Sequence, residues 1–199
     1  MPDEQDNQIE RREPGGINRR SETARRGSDA AGFVRGLANR RTESILPSSV
    51  PTDITYEFSL KWGTEGDGDG EFAYTGVNGI AVASDGSVYV ADMDNNRVQE
   101  FTSDGVFVTK WGTQGSGDGE FEGPKDVTVA PDGSIYVADT YNHRVQKFTS
   151  AGLFVNQWGT HGTGHREFQY PAGVAVASDG SVYVADSGNN RIQKFSVGQ

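Results

Sequence analysis

The sequence predicts an all-β fold in which four-stranded antiparallel blades repeat, and three observations predict it. A 17-residue pattern, DGSIYVADTYNHRVQKF at Asp132–Phe148, occurs three times and begins at Asp85, Asp132 and Asp179, a period of 47 residues. Each repeat contains four short segments rich in β-branched and aromatic residues, and turn signals separate these segments. Four strands in a unit of about 40 to 50 residues are typical of a β-propeller blade.

The middle repeat shows how each strand and turn is predicted. Its four strands are predicted at Asp126–Ala130, Ser134–Ala138, Arg144–Thr149 and Leu153–Trp158. Asp132-Gly133 predicts a tight hairpin between the first two strands, since glycine adopts a positive φ without strain. The same turn is predicted between the third and fourth strands at Asp104-Gly105 and Ala151-Gly152. We interpret the recurring aromatic residues as packing between blades: Trp62, Trp111, Trp158, Phe101, Phe148 and Phe195.

Composition narrows the class of protein. The chain has no cysteine, which excludes disulfides, thiolate metal sites and a cysteine nucleophile. It shows neither a secretory signal nor an apolar run long enough to cross a bilayer. We therefore expect a cytoplasmic protein or a component of a virus particle. The formal net charge of −10 is unevenly distributed, and residues 56–199 carry most of the acidic side chains.

Residues 1–55 are predicted to form a flexible, Arg-rich arm and linker. The arm has nine Arg, no Lys and low hydrophobicity, a composition typical of segments that are disordered in isolation. Arg doublets bind carboxylates and phosphates in a forked geometry, so the arm could dock on an anionic or grooved partner; a solvated tail is the alternative. The residues predicted to dock are Arg11, Arg12, Arg19, Arg20, Arg25, Arg26, Phe33, Leu37, Arg40 and Arg41.

Residues 56–199 are predicted to form the propeller segment, with blades at about 56–111, 112–158 and 159–199. The segment begins with an isolated fourth strand, Phe58–Trp62, and ends on a third strand, Arg191–Ser196. Each end is therefore a strand edge that invites pairing with another chain. We expect a homodimer that closes a six-bladed ring, or a higher oligomer, in which strand 58–62 completes the last blade of a second copy. The alternatives are a trimer with nine blades, a three-bladed monomer and a fragment of a longer chain.

The pattern PAGVAVASDGSVYVADSGNNRIQKF at Pro171–Phe195 resembles the NHL repeat, and Asn142-His143-Arg144 is close to the three residues that name it. The resemblance covers residues 58–199 in three copies. Repeat one departs from the pattern, with two residues inserted before Asp85 and Val77 in place of proline. The resemblance implies a propeller, most often six-bladed, that commonly binds protein or RNA; a minority of related propellers are metal-dependent lyases or lactonases.

Several polar clusters admit both a structural and a functional interpretation. We interpret the pairs Asp92–Arg97, Asp139–Arg144 and Asp186–Arg191 as turn locks that recur in every blade, not as a polar ring. Next to each pair, Asn95, Asn142 and Asn189 are predicted to adopt a positive φ. The acidic loop with Asp67, Asp69 and Glu71 could bind calcium, although a blade connection is the favoured interpretation. Three His residues support zinc catalysis poorly, so no cofactor, no metal and no enzymatic activity are expected.

A specific function should lie where the copies differ, at the hairpin tips and inter-blade loops. Exposed Tyr and Met residues there suit a protein interface. The candidate binding residues are Tyr74, Met93, Asp94, Lys125, Tyr141, His143 and Tyr170. The favoured function is a non-enzymatic, oligomeric binding or structural module, tethered by its arm to a larger protein assembly such as a virion or filament. The alternatives are nucleic-acid binding through the arm and a metal-dependent propeller enzyme; no membrane partner is expected.

Overall fold

A computed structural model describes residues 55–196 and residue 198 of the chain. The predictions for the arm, including all of its docking residues, lie outside the described residues. In chain order the strands are β1 (Thr64–Glu65), β2 (Glu71–Phe72), β3 (Val77–Val82), β4 (Val88–Asp92), β5 (Arg97–Phe101), β6 (Phe107–Trp111), β7 (Pro124–Val129), β8 (Ile135–Asp139), β9 (Arg144–Phe148), β10 (Phe154–Trp158), β11 (Thr160–His161), β12 (Glu167–Phe168), β13 (Pro171–Val176), β14 (Val182–Asp186) and β15 (Arg191–Phe195), with a 3₁₀ turn at Ser187–Asn189.

These strands build three antiparallel blades. Blade 1 has the order β3-β4-β5-β6, blade 2 has the order β7-β8-β9-β10, and blade 3 has only β13-β14-β15. The short parallel pairs β1–β2 and β11–β12, and a bridge between Gln114 and Phe121, lie in the loop that precedes each blade. The predicted all-β fold of four-stranded antiparallel blades is confirmed.

The hairpin turns follow from their glycines. Gly133 has a φ of 81°, and its N–H donates to Ala130 O at 2.9 Å, while Asp132 Oδ1 accepts the Ser134 N–H at 2.9 Å. The left-handed backbone at Gly133 is costly for residues with a Cβ, which explains the Asp-Gly pair at this turn in each repeat. The predicted turn is confirmed, and the same geometry recurs at Gly86 and Gly180.

Two sequence predictions need adjustment. The strands of blade 2 begin and end within two residues of their predicted bounds, and β7 starts at Pro124, where proline is tolerated because a first strand residue needs no ladder N–H. Lys125, expected in a loop, therefore lies in β7. Residues 55–63, including the predicted strand Phe58–Trp62, form no strand, because they pair with no other strand of the described chain.

The core lies between consecutive blades. Tyr89 and Val98 of blade 1 face Phe121, Val127 and Phe148 of blade 2, and all five are buried. Burying side chains of this size stabilises a fold by about 1.5–3 kcal/mol each. The repeated Trp residues pack as predicted: the Trp111 ring lies 5.9 Å from the Phe148 ring, and the Trp158 ring lies 5.6 Å from the Phe195 ring.

The first strands of the three blades lie side by side. Val174 N on β13 donates to Asp126 Oδ2 on β7 at 2.8 Å. On the other side of β7, Gly79 approaches so closely that an added Cβ would lie 2.5 Å from Asp126 Cα. Small and aliphatic residues on these strands permit this crowding, and burial raises the pKa of Asp126. The strand order places the hairpin tips between the second and third strands of each blade at one end.

Candidate functional site at the hairpin tips

Each hairpin tip is held by an ion pair between the last residue of the second strand and the first residue of the third. In blade 2 these are Asp139 and Arg144, which face each other in the ladder, and Arg144 Nε donates to Asp139 Oδ2 at 2.7 Å. The equivalent distance is 2.8 Å for Asp92–Arg97 and 2.7 Å for Asp186–Arg191. The six residues predicted as turn locks are thus in direct contact, pair by pair.

The arginine of each pair also fastens the loop before its blade. Arg144 Nη1 donates to Ser116 O at 2.7 Å, and Nη2 donates to Gly117 O and Glu120 O at 2.8 Å each. The planar guanidinium supplies several donors in a fixed geometry, which a lysine could not reproduce. Because one side chain joins the tip to the connecting loop, both parts of this end are held by the same buried charge.

The asparagine in the tip has a different role from the predicted one. Asn142 Nδ2 donates to Asp139 Oδ2 at 3.0 Å and to Gly115 O at 2.8 Å. The positive φ instead occurs one residue later, at Asn96 (53°), His143 (56°) and Asn190 (53°). The prediction that Asn95, Asn142 and Asn189 adopt a positive φ is therefore wrong, since their side chains must reach back to the aspartate.

The aspartates of the lock differ in pKa. Burial raises the pKa of Asp139 more than its hydrogen bonds from Glu122 N, Arg144 and Asn142 lower it. Burial also acts on Asp186, but hydrogen bonds from Gln169 N, Asn189, Arg191 and Gln193 outweigh it, so the pKa of Asp186 is lowered. Blade 3 has no following blade and no fourth strand in the described chain, so desolvation there is weaker.

Neighbouring tips are joined by a repeated contact. Gly123 N donates to Asn96 Oδ1 at 2.9 Å between blades 1 and 2, and Tyr170 N donates to His143 Nδ1 at 3.2 Å between blades 2 and 3. The second bond requires an unprotonated Nδ1. Burial and the charge of His161 lower the pKa of His143, which favours that state at neutral pH.

A row of half-exposed side chains runs across the tips. The Tyr141 ring lies against the backbone of Gly123, beside the Met93 methyl group. The ring centroids of Tyr141 and Tyr170 are 6.1 Å apart, and those of Tyr170 and His143 are 4.8 Å apart. Tyr141 and Tyr170 keep nearly half of their surface exposed. We call this row, Met93, Tyr141, Tyr170, His143 and His161, the tip surface.

The structure brings together four of the seven predicted binding residues: Met93, Tyr141, His143 and Tyr170. Tyr74 is exposed. With Trp62 and Ile80 it lines a depression on the face of blade 1 that packs on no other blade of the described chain. Asp94 is exposed and accepts a hydrogen bond from the Thr75 hydroxyl, while Lys125 is exposed on β7.

His161 belongs to the tip surface although its role was not predicted. Its ring lies 4.5 Å from that of His143. Its position in the loop before blade 3, where the other repeats have Glu65 and Gln114, was the signal that could have identified it.

The acidic loop considered for calcium is occupied by structural contacts. Glu71 Oε2 accepts the Gly68 N–H at 2.9 Å, and the equivalent Glu120 and Glu167 do the same in their own loops. Asp69 pairs with Lys110 at 2.8 Å. In residues 55–196, no three His, Asp or Glu side chains converge as a metal ion would require. Among the described residues, no helix has the length and apolar character needed to cross a membrane.

Known proteins resemble this chain at the level of the repeat. The family model for the NHL repeat matches residues 75–101, 121–148 and 168–195. A search of curated protein sequences found no match.

Solved structures resemble part of the chain. A catalytically inactive virginiamycin B lyase from Staphylococcus aureus, in a structure with quinupristin, is 20% identical over 64% of this chain and 44% of that chain, with a TM-score of 0.48. The Kuenenia stuttgartiensis hydrazine synthase is 18% identical over 61% and 32%, with a TM-score of 0.49. The WD40 β-propeller domain of Doa1 is 17% identical over 60% and 36%, with a TM-score of 0.47.

The chain spans less than half the length of each of these structures. Each of the three NHL matches contains the first three strands of one blade and the Asp–Arg pair at its tip. The three matches to the family model and the three blades of the structure agree in number, order and position along the chain. The chain therefore belongs to the NHL-repeat family.

Proposed function

We propose that the protein is a non-enzymatic binding module, an oligomeric NHL propeller that binds a protein partner through its tip surface. The N-terminal arm tethers the propeller to a larger protein assembly, such as a virion or a filament. The single observation that carries the proposal is the tip surface itself: half-exposed Tyr141 and Tyr170, 6.1 Å apart, on a backbone held by buried ion pairs.

The chemistry of the tip surface favours a protein partner. Tyrosine and methionine bury a large area when they bind and lose little conformational entropy if they are already positioned. Tyr141 is positioned by Gly123, where an added Cβ would lie 2.4 Å from the ring. Nucleic-acid binding is less well supported for the propeller, because residues 56–199 carry nine basic and nineteen acidic side chains.

A non-enzymatic role is supported by how the repeated polar side chains are used. Asp139, Arg144 and Gln146 are buried and bonded to one another or to loop carbonyls. They recur in each blade with the same partners, as expected for framework residues. Because these three side chains are buried and bonded within the framework, none of them is placed to exchange a proton with a bound substrate or to attack it.

Site-specific photo-crosslinking tests the proposal in cells. A photoreactive amino acid in place of Tyr141 should capture one partner, whereas the same residue in place of Val155, on the outer strand of blade 2, should not. The purified partner should then bind Tyr141→Ala/Tyr170→Ala at least about 30-fold more weakly than wild type, since buried aromatic anchors contribute about 2 kcal/mol or more. Unchanged affinity would refute the tip surface as the binding site.

The tether is tested separately. Deleting residues 1–54 should release the propeller from the assembly in a co-sedimentation assay while leaving partner binding by the tip surface intact. Retention of the truncated chain in the assembly would contradict the tether.

A further inference from the structure

Among the described residues, blade 3 has three strands, one fewer than blades 1 and 2. In blades 1 and 2 the third strand pairs on both sides: β5 with β4 and β6, and β9 with β8 and β10. The equivalent strand of blade 3, β15, pairs only with β14 among the described residues. Its outer edge therefore presents a row of backbone donors and acceptors that can template another strand.

A segment at the other end of the propeller has the sequence of the missing strand. Phe58–Trp62 reads FSLKW, while the fourth strands β6 and β10 read FVTKW and FVNQW. In both complete blades the Trp faces a valine of the third strand and the Phe faces a phenylalanine, as in Val98↔Trp111 and Phe101↔Phe107. The same register on β15 would pair Trp62 with Ile192, Leu60 with Lys194 and Phe58 with Phe195.

Trp62 of this segment packs beside blade 1, where the fourth strand of a preceding blade would lie. The segment is therefore at the opposite end of the three blades from blade 3 and cannot complete that blade within the same chain. The Trp62 ring lies 6.0 Å from the Phe101 ring, and an added Cβ on Gly105 would lie 2.7 Å from it. Trp111 contacts the next blade in the same way, 5.9 Å from Phe148 and 2.8 Å from an added Cβ on Gly152. Trp62 thus occupies the same position relative to blade 1 that Trp111, the last residue of a fourth strand, occupies relative to blade 2.

The loop after Trp62 keeps this segment in place. Arg97 of blade 1 donates to Gly68 O and Glu71 O, each at 2.8 Å. The buried guanidinium anchors the loop to blade 1, so the segment before it starts from a fixed point. Phe58 itself is 81% exposed, so most of its side chain is free to contact another chain.

The two outer faces of the propeller match the faces that are buried between its blades. On the face of blade 1, Ile80 is 59% exposed, whereas its equivalents Val127 and Val174 are 2% and 6% exposed. On the face of blade 3, Ile192 is 66% exposed, whereas its equivalents Val98 and Val145 are fully buried. Each open face therefore has the residues of an inter-blade contact without the second blade.

We infer that a second copy of this chain covers the free edge of β15 and the open faces. Phe58–Trp62 of one copy forms the fourth strand of blade 3 of another, and blade 1 of the first packs on blade 3 of the second. This inference specifies the self-association contained in the proposed function. The contact is heterologous, since the two faces differ, and it closes a ring when the last copy meets the first.

The tips give one further expectation for this interface. Asn96 and His143 each accept an N–H from the residue two positions after the loop phenylalanine of the following blade, Gly123 and Tyr170. Asn190 occupies the same position on blade 3, also with a positive φ. Across the interface it should accept the N–H of Tyr74 from the second copy, which would extend the tip surface onto that copy.

Cysteine cross-linking tests the exchanged strand, because the chain has no cysteine of its own. Leu60→Cys and a differently tagged Lys194→Cys chain would be co-expressed and oxidised. Residues opposite each other on antiparallel strands have Cα atoms about 4.5–5.5 Å apart, within the range of a disulfide. We expect a heterodimer containing both tags on a non-reducing gel. Lys61→Cys with Lys194→Cys is the matched control, since neighbouring residues on a strand point to opposite faces.

The outcomes separate the two proposals. If the mixed disulfide does not exceed the control level and light scattering gives the mass of one chain, the strand exchange is overturned. That result has no bearing on partner binding by the tip surface. If the disulfide forms in wild-type yield in Tyr141→Ala/Tyr170→Ala and that variant also keeps its partner affinity, strand exchange stands and the proposed binding site fails.

Discussion

Replacing Arg144 by Met should lower the free energy of unfolding more than most other substitutions in the propeller. Methionine retains most of the aliphatic volume of arginine but none of its donors. The change removes the Nε bond to Asp139 at 2.7 Å and the bonds to Ser116 O at 2.7 Å and to Gly117 O at 2.8 Å. Only 7% of the Arg144 side chain is exposed, and Asp139 is fully buried.

The magnitude follows from that burial. Removing one partner of a buried ion pair costs about 3–5 kcal/mol, because the other charge stays desolvated. Arg191 makes the same contacts on blade 3, but 31% of its side chain is exposed in the single chain. Water can hydrate the groups that Arg191→Met leaves behind, so a loss of about 1–2 kcal/mol is expected there.

The assay is equilibrium urea unfolding followed by the fluorescence of the three Trp residues. Both substitutions would be made in an Ile192→Asp background and at one protein concentration, so that association does not contribute to the free energy of unfolding. Arg144→Lys should fall between wild type and Arg144→Met, because it keeps the charge without the fork. Equal losses for Arg144→Met and Arg191→Met, or a loss below about 1 kcal/mol for Arg144→Met, would refute the reasoning.

Three further predictions concern association and pH. If blade 3 packs on a second copy, Ile192→Asp should lower the light-scattering mass to that of one chain, since burying a side chain that is now two-thirds exposed contributes about 1–2 kcal/mol per contact. Val155→Asp, half-exposed on the outer strand of blade 2, should leave the mass unchanged. An unchanged mass for Ile192→Asp would count against the interface. Burial, followed by the charges of Glu100 and Asp85, raises the pKa of Tyr89 to about 12, so its contribution to stability is complete below pH 10 and lost as the pH rises towards 12. An absorbance titration at alkaline pH should therefore lose its latest tyrosine transition in Tyr89→Phe, and retention of that transition would assign it to another residue. The pKa of Asp186 is lowered, so its bonds stabilise the fold fully above the unfolded pKa of about 3.9 and are lost as the pH falls through the folded value. Asp186→Asn should flatten the acid limb of a stability–pH profile, and an unaltered limb would contradict the assignment.

Much of the fold could be predicted from the sequence, because the signals are local. The Asp132-Gly133 turn and the β-branched and aromatic residues of Ile135–Asp139 act within one repeat, and the 47-residue spacing shows that the repeat recurs. Part of the candidate site could also be predicted from the sequence, because four of its residues differ between the repeats. Met93, Tyr141, His143 and Tyr170 break the repeat, and a difference between copies can be read without knowing where the residues lie.

The sequence by itself determined the type of blade and the number of repeats in the chain. Tertiary structure alone decided which side chains of different blades meet. It placed Tyr141 beside Tyr170 and His143 beside His161, pairs that belong to different tips and loops. It also moved the positive φ from Asn142 to His143, because Asn142 is needed to bind Asp139. Spacing along the chain specifies a strand and its turn, but contacts between blades depend on how one twisted sheet packs on the next.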